Sequence, residues 1–139
     1  MNPSSMLGVL RIVTGLLFLE HGTQKVMGFP PAPAMPAVAT HTAAAAAPGL
    51  MSLLGHASGP IELIGGLLIT IGLFTRPVAF ILAGEMAIAY FMVHFSKDFF
   101  PIINKGELAV IYCFVFLYFT FAGGGAWALD GLLRRNRAS

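Results

Sequence analysis

The sequence has little charge and almost no cysteine, and each shortage excludes a class of protein. Only 10% of its 139 residues are charged, against roughly a quarter in a soluble domain. The single cysteine, Cys113, lies in an apolar run, which excludes both a disulfide framework and a CxxC redox pair. No HxxxH or ExxH spacing occurs, so no metal site is predicted.

Apolar residues are what the chain has in abundance. They make up 57% of it, with a mean hydropathy of +0.82. Four apolar runs predict membrane spans at about residues 6–27, 50–74, 77–95 and 107–122. Thr75 and Arg76 form the turn before the third span, and a long Pro/Ala-rich loop, residues 30–47, follows the first. We therefore expect an all-α, integral membrane four-helix bundle that forms a single domain over residues 1–139.

The basic tail is the main guide to orientation. Four spans place both termini on one side of the bilayer, and the tail carries Arg134, Arg135 and Arg137. An excess of Lys and Arg marks the cytoplasmic side, so both termini are predicted to be cytoplasmic in a multi-pass protein. The lipid bilayer then explains these arginines, and no nucleic-acid partner is predicted.

The ionisable residues of the spans fall at similar depths in this topology. Each charge in hydrocarbon costs at least about 2.5–3.5 kcal/mol, so a chain keeps several only if they pair, meet water or act. The expected outer layer, drawn from all four helices, forms a polar pocket that contains Glu20, His21, Lys25, Glu62, His94 and Glu107. The alternative is an ion-pair network that only fixes helix register, with Lys25 and Glu107 reaching the surface.

Two further features concern packing. Arg11 and Glu85 have compatible depths, which predicts a structural ion pair between the first and third spans. Ala79, Ala83 and Ala87 form a ladder of small residues that lets another helix approach closely. That helix belongs either to a second copy, which would give a homodimer, or to the same bundle.

Three segments in order resemble the DoxX family of small bacterial membrane proteins: HGTQK from His21, ELIGGLL from Glu62 and GLFTR from Gly72. Weaker similarities lie in 93–95, 105–107 and 127–130. The resemblance implies a four-helix bundle in the bacterial plasma membrane, with links to quinone-coupled sulfur oxidation and membrane oxidoreductase assemblies. The polar positions that match are His21, Lys25, Glu62, Arg76, His94 and Glu107.

Three functions fit these features. The first is a membrane subunit of a quinone-linked oxidoreductase. The sequence shows no cofactor motif, and quinone is the candidate ligand. A soluble or membrane redox partner would then supply the electrons. The second is a small-molecule transporter, for which the charged first helix suits an anion or a polar neutral molecule better than an organic cation. The third is a non-catalytic scaffold that holds a partner enzyme at the membrane.

Overall fold

The computed structural model describes residues 2–31 and 49–136, and no strand occurs among them. The helices are α1 (Pro3–Met27), α2 (Leu50–Ile71), α3 (Thr75–Ala89), α4 (Pro101–Asn104), α5 (Glu107–Ala122) and α6 (Leu129–Asn136). The four long helices begin and end within three residues of the predicted bounds, except that the α-helical part of the third span ends at Ala89 and a π-helical segment continues it to His94. Most of the predicted 30–47 loop lies outside the described residues.

The ends of α1 follow from local capping. The Asn2 side chain accepts a hydrogen bond from the Ser5 N–H at 2.8 Å, and Pro3 occupies the first turn, where its missing N–H costs nothing. At the other end Gly28 adopts the left-handed conformation, with φ 68°, which glycine tolerates best. Pro60 lies inside α2 without ending it.

Within residues 2–31 and 49–136, three helical segments are long and apolar enough to cross a membrane. They are Pro3–Met27, Ser52–Ile71 and Thr75–His94. In the third, α3 continues through a π-helical segment, Tyr90–His94, a form often found at functional sites. Helix α5 has 16 residues, or about 24 Å at 1.5 Å per residue, which is shorter than a typical hydrocarbon layer.

The helices pack mainly as two pairs, α1 with α2 and α3 with α5, while α2 and α3 touch each other much less. In the first pair the backbones nearly meet, because a Cβ on Gly22 would lie 2.3 Å from the Leu63 nitrogen. Between the pairs, Phe18 of α1 contacts Phe116 of α5 edge to face, with ring centroids 4.8 Å apart. Both rings are almost fully buried and form the centre of the core.

The start of α1 lies beside the end of α5. We call this side of the molecule the terminal end, and it comprises Ser4, the turn 72–75 and the segment 123–130. There the Ala126 N–H donates to the Ser4 carbonyl at 2.9 Å. The Asp130 N–H donates to the Gly72 carbonyl, also at 2.9 Å. The opposite end, called the loop end, holds Met27, His94 and the segment 101–107.

The alanine ladder of α3 is used largely within the chain. Ala79 is 0% exposed and Ala83 is 3% exposed, and both pack in the core that α3 and α5 share. Ala87 is half-buried and lines the cavity described below. Two of the three ladder residues are therefore packed within this chain, and the third lies at the cavity.

Candidate functional site

A cavity of about 500 Å³ lies where the two helix pairs separate. Its walls are mostly apolar and come chiefly from α2 and α3, with a contribution from α5: Leu54, Ile61, Phe80, Ile81, Met92 and Leu117. Phe80 and Ile81 are more than half exposed, so the cavity opens on the outer surface of the helices. Its polar side chains include Lys25, Glu62 and Glu85.

Lys25 and Glu62 form an ion pair at one side of this cavity. The Lys25 Nζ lies 2.5 Å from Glu62 Oε1, and the two side chains are only 14% and 3% exposed. Nζ also donates to the Ser58 hydroxyl at 3.2 Å. Burial of this pair is tolerable because each charge has its partner, and removing one would leave the other without compensation.

The Glu85 carboxyl group lies deep in α3 with no such compensation. Both of its oxygens are buried and neither has a hydrogen-bond partner among the described residues. Oε2 of Glu62 is in the same state. Because a buried polar atom without a partner is costly, these three oxygens are the positions in the cavity where a polar ligand or a proton would bring the largest gain.

The six residues predicted to share one polar pocket do not all meet. Lys25 and Glu62 do, and His21 lies nearby, but its Nδ1–H donates to the Leu17 carbonyl at 2.9 Å. The His21 ring packs against Tyr112, with centroids 5.9 Å apart. Glu20 is exposed on the outer surface of α1.

The other two members of the predicted pocket belong to the loop end. His94 Nδ1–H donates to the Asn104 carbonyl at 2.9 Å, and its ring stacks on Tyr90. Glu107 is exposed in the first turn of α5, where the helix dipole stabilises a negative charge. Neither lines the cavity. The sequence grouped these residues because they lie at similar depth, but their side chains point in different directions around the helices.

The predicted ion pair between Arg11 and Glu85 is wrong. The Arg11 guanidinium donates to four backbone carbonyls. Two belong to the terminal end, Gly124 at 2.7 Å and Ala126 at 3.4 Å, and two to the last turn of α2, Ile69 at 2.7 Å and Thr70. Glu85 lies ten residues into α3, or about 15 Å beyond the turn that this arginine reaches. Arg11 is 0% exposed, and these carbonyls satisfy its guanidinium without a carboxylate.

Thr75 and Arg76 lie at the turn, as predicted, where α3 begins at Thr75. The start of α3 is capped from the far end of the chain: Asp130 accepts hydrogen bonds from the Phe74 and Thr75 N–H groups, each at 2.8 Å. Thr75 is fully buried, whereas Arg76 is exposed beside Gly123. The two residues of the motif therefore differ in role, since Thr75 is part of a packed turn and Arg76 stands at its edge.

Comparison with protein families decides the relationship. The family model described as DoxX matches residues 6–95, which include most of α1 and all of α2, α3 and the π-helical segment. The chain belongs to the DoxX family. The resemblance seen in the HGTQK, ELIGGLL and GLFTR segments is thereby confirmed, and this DoxX protein is a membrane protein with apolar spanning helices.

Two relatives extend the match beyond that region. A Haemophilus influenzae protein, named "Uncharacterized protein", is 46% identical over 127 residues, which cover 89% of this chain and 87% of the relative. A Bacillus subtilis strain 168 protein, named "Putative oxidoreductase CatD", is 28% identical over 139 residues, covering 99% and 95%. No solved structure matches the chain significantly.

The contacts of two polar residues of this DoxX protein were not predicted from the sequence, those of the buried Asn104 and of the half-buried Asp130. Asn104 is 3% exposed and closes the loop end: its amide donates to the Asp98 carbonyl at 2.8 Å and its Oδ1 accepts from the Gly106 N–H at 2.7 Å. The Asn-Lys-Gly sequence is a turn signal that could have indicated the first. Asp130 lies in the segment 127–130 that already resembles the family, but no local pattern indicates its contacts, because its partners lie 55 and 56 residues away.

Proposed function

We propose that this DoxX protein is a membrane subunit of a quinone-linked oxidoreductase, and that the cavity between the helix pairs binds the quinone. The observation that carries the proposal is an apolar cavity with three buried carboxyl oxygens that have no hydrogen-bond partner in the part of the chain that the structure describes. Ligand sites in proteins are typically concave and mostly apolar, with a few polar groups that orient the ligand.

The residues of the cavity fit such a ligand in both size and chemistry. Its volume of about 500 Å³ lies within the usual range of about 300–1,000 Å³ for small-molecule sites. The exposed side chains of Phe80 and Ile81 at its opening suit entry of an apolar tail from lipid. Inside, the Lys25 ammonium can donate to a carbonyl oxygen, and Glu85 can accept from a hydroxyl group.

A bound quinone supplies two-electron chemistry coupled to the uptake or release of two protons. In this proposal Glu85 holds or releases a proton at its buried carboxyl group, and Glu62 does so at Oε2 while Oε1 stays paired with Lys25. The apolar walls keep water from the bound ligand. Electrons come from a partner redox protein, consistent with a chain that has one cysteine and no cofactor motif.

The relative named "Putative oxidoreductase CatD" supports the reaction class. It is 28% identical to this chain over almost the whole of both proteins. Because related folds often carry different activities, that name supports oxidation and reduction in general. The quinone itself rests on the cavity.

We also propose that α5 is a fourth span in a four-helix bundle of the bacterial plasma membrane, with both termini cytoplasmic. Phe116 and Phe119 of α5 are fully buried in the core. The end of α5 returns to the start of α1 through the Ala126 to Ser4 hydrogen bond. An even number of crossings produces such a return, and the basic tail then favours the cytoplasmic side.

The decisive experiment is to count quinone molecules retained by the protein after mild extraction into lipid nanodiscs, using mass spectrometry. Gly84 lines the cavity, and a Cβ built there meets nothing within 4 Å, so Gly84→Leu fills the cavity without a backbone clash. Gly131→Leu is the matched control, because Gly131 is also a helical glycine with open space and lies outside this cavity.

We expect Gly84→Leu to retain at least about tenfold less quinone than wild type, because the new side chain occupies the volume of the ligand. Gly131→Leu should match wild type. Wild type without quinone, or equal retention in Gly84→Leu, would overturn the proposal. If a partner enzyme co-purifies and stays active with Glu62→Gln while no quinone is found, the protein is a scaffold.

A further inference from the structure

A second cavity, of about 450 Å³, lies at the terminal end, and we call it the terminal cavity. It is bordered by the start of α3, the glycine segment 123–125 and the first residues of α6. Among the described residues, none that lines it also lines the cavity between the helix pairs. Gly123 and Gly125 have φ angles of 83° and 67°, which glycine adopts most easily. The backbone of this segment therefore forms part of the wall directly.

The hydroxyl group of Thr75 lies in the wall of the terminal cavity without a partner. Thr75 is 0% exposed, and its Oγ1 atom has no hydrogen-bond partner in the described part of the chain. A Cβ atom built on Gly124 would lie 3.0 Å from this oxygen, which places the hydroxyl against the glycine segment. A buried polar atom without a partner is costly, and a valine would avoid that cost. The hydroxyl is therefore a position where a ligand oxygen would bring a gain.

Arg76 brings a positive charge to the edge of the terminal cavity. Its side chain is exposed, and its Nε and Nη2 atoms lie 3.4 and 3.7 Å from the position of a Cβ atom built on Gly123. The guanidinium makes no hydrogen bond or ion pair with any residue that the structure describes. A guanidinium has five N–H donors in a planar fork that matches the oxygens of a phosphate group. All of these donors are available to a ligand.

The glycine segment adds unpaired backbone N–H groups to this wall. The carbonyls of Gly124 and Ala126 accept hydrogen bonds from the Arg11 guanidinium. In a trans peptide the carbonyl and the N–H group that follows it point in opposite directions, so the Gly125 N–H points away from Arg11. Neither the Gly124 N–H nor the Gly125 N–H has an acceptor among the described residues. The acceptors of the segment are thus occupied while two of its donors are not.

The carboxylate of the wall, that of Asp130, is already engaged. Its two oxygens accept from the Phe74 and Thr75 N–H groups, each at 2.8 Å. Its charge also interacts favourably with the buried guanidinium of Arg11. Among the described residues of the wall, Arg76 is therefore the charged side chain that lacks a partner. A cavity with an unpaired positive charge and several unused donors suits an anion.

We propose that the terminal cavity binds a phosphate group. The phosphate oxygens accept hydrogen bonds from the Arg76 guanidinium, the Thr75 hydroxyl and the N–H groups of the glycine segment. The volume of about 450 Å³ lies in the usual range of about 300–1,000 Å³ for small-molecule sites. The terminal cavity therefore has room for the organic part of a phosphate ester as well as for the phosphate group.

Two sources can supply this group, the headgroup of a phospholipid and a soluble phosphate ester. The terminal end lies where the first and third candidate spans begin and the second ends, which is the depth of lipid headgroups. Trp127 beside the terminal cavity is 66% exposed, and Leu133, which lines it, is 49% exposed. Tryptophan is enriched at the membrane surface. The same donors would hold the phosphate group in either case, so the test includes one probe for each source.

The site is tested with the purified full-length chain in an alkyl maltoside detergent, without phosphate in the buffer and at constant ionic strength. Inorganic phosphate is titrated by calorimetry, and phosphatidylglycerol is titrated by native mass spectrometry. Arg76→Gln removes the charge, and Thr75→Val removes the hydroxyl while keeping nearly the same shape. Lys97→Gln is the matched control, because it removes an exposed positive charge near the loop end.

We expect Arg76→Gln to weaken binding of the tighter probe at least about tenfold, because it removes charge-assisted hydrogen bonds. Thr75→Val removes one neutral hydrogen bond and should weaken binding at least about threefold. Lys97→Gln should bind like wild type. If inorganic phosphate binds more tightly than phosphatidylglycerol, the ligand is a soluble ester, and the opposite order identifies a lipid headgroup.

Three outcomes would overturn this inference. The first is a wild-type protein that binds neither probe. The second is an Arg76→Gln variant that binds as tightly as wild type, as expected if this arginine only neutralises the carbonyl end of α5. The third is an equal loss in Lys97→Gln, which would indicate attraction to the overall positive charge.

Folding and the proposed oxidoreductase role are monitored separately. Helical circular dichroism of each variant should equal that of wild type, which separates lost binding from unfolding. Arg76 is exposed, so Arg76→Gln tests the site independently of how well the buried position of Thr75 tolerates valine. Quinone retention in the Gly84→Leu experiment concerns the cavity between the helix pairs, so the two proposals stand or fall separately.

Discussion

The guanidinium of Arg11 at the terminal end and the carboxyl group of Glu85 in the cavity between the helix pairs are both buried away from water. Of these two groups, only the guanidinium has hydrogen-bond partners among the described residues. Four carbonyls accept from the arginine, whereas both oxygens of the glutamate lack a partner among the described residues. A satisfied group of this kind stabilises the fold, and an unsatisfied one costs stability. This difference is what we expect if Arg11 at the terminal end serves structure and the cavity around Glu85 binds the proposed quinone, because functional sites are where packing rules are broken.

The largest test of this comparison is Arg11→Leu. Hydrogen bonds to charged groups contribute about 1.5–3 kcal/mol each, and this change removes several of them. We therefore expect the free energy of unfolding, measured by thermal or denaturant unfolding in nanodiscs, to fall by at least about 3 kcal/mol. Arg76→Leu is the control, since Arg76 is exposed, and should change stability by less than about 0.5 kcal/mol. Equal effects of the two changes would show that Arg11 is not a structural centre.

A smaller loss is expected from Asp130→Ala. This change removes the carboxylate that accepts from the Phe74 and Thr75 N–H groups, and loss of a helix cap costs about 0.5–2 kcal/mol. Hydrogen exchange at those two amides should accelerate more than at the middle of α3. Asp130→Asn keeps one acceptor oxygen and should fall between the alanine variant and wild type. Unchanged exchange at both amides would contradict the capping role.

The smallest effect on stability, and the opposite sign, is expected from Glu85→Leu. No described hydrogen bond is lost, and replacing a buried carboxyl group with an apolar side chain is often neutral or stabilising. Unfolding free energy should stay within about 1 kcal/mol of wild type or rise, while quinone retention falls. A loss above about 2 kcal/mol would reveal a structural partner of Glu85 and weaken the contrast with Arg11.

Sequence reasoning located the long helices because their signals are local. Gly28 and the prolines after it end α1, and the turn at Thr75 begins α3. Each boundary depends on a few neighbouring residues, whose conformational preferences can be read directly.

The contacts of the charged groups were harder to predict because they depend on direction as well as depth. The sequence placed Lys25 and Glu62 in one set with four residues that the structure leaves outside the cavity. It paired Arg11 with a carboxylate because the carbonyls at the end of α2 and after α5 carry no sequence signal. A backbone acceptor is present at every residue, so only the fold determines which ones an arginine reaches.

The hydrogen bonds of Arg11 also set an order for biosynthesis. The arginine enters the membrane with α1, but its Gly124 acceptor lies 113 residues later in the chain. A nascent protein released before that residue has a guanidinium that lacks two of its four acceptors. Synthesis must therefore pass the residues that lie 113 and 115 positions after Arg11 before its guanidinium can bind all four acceptors.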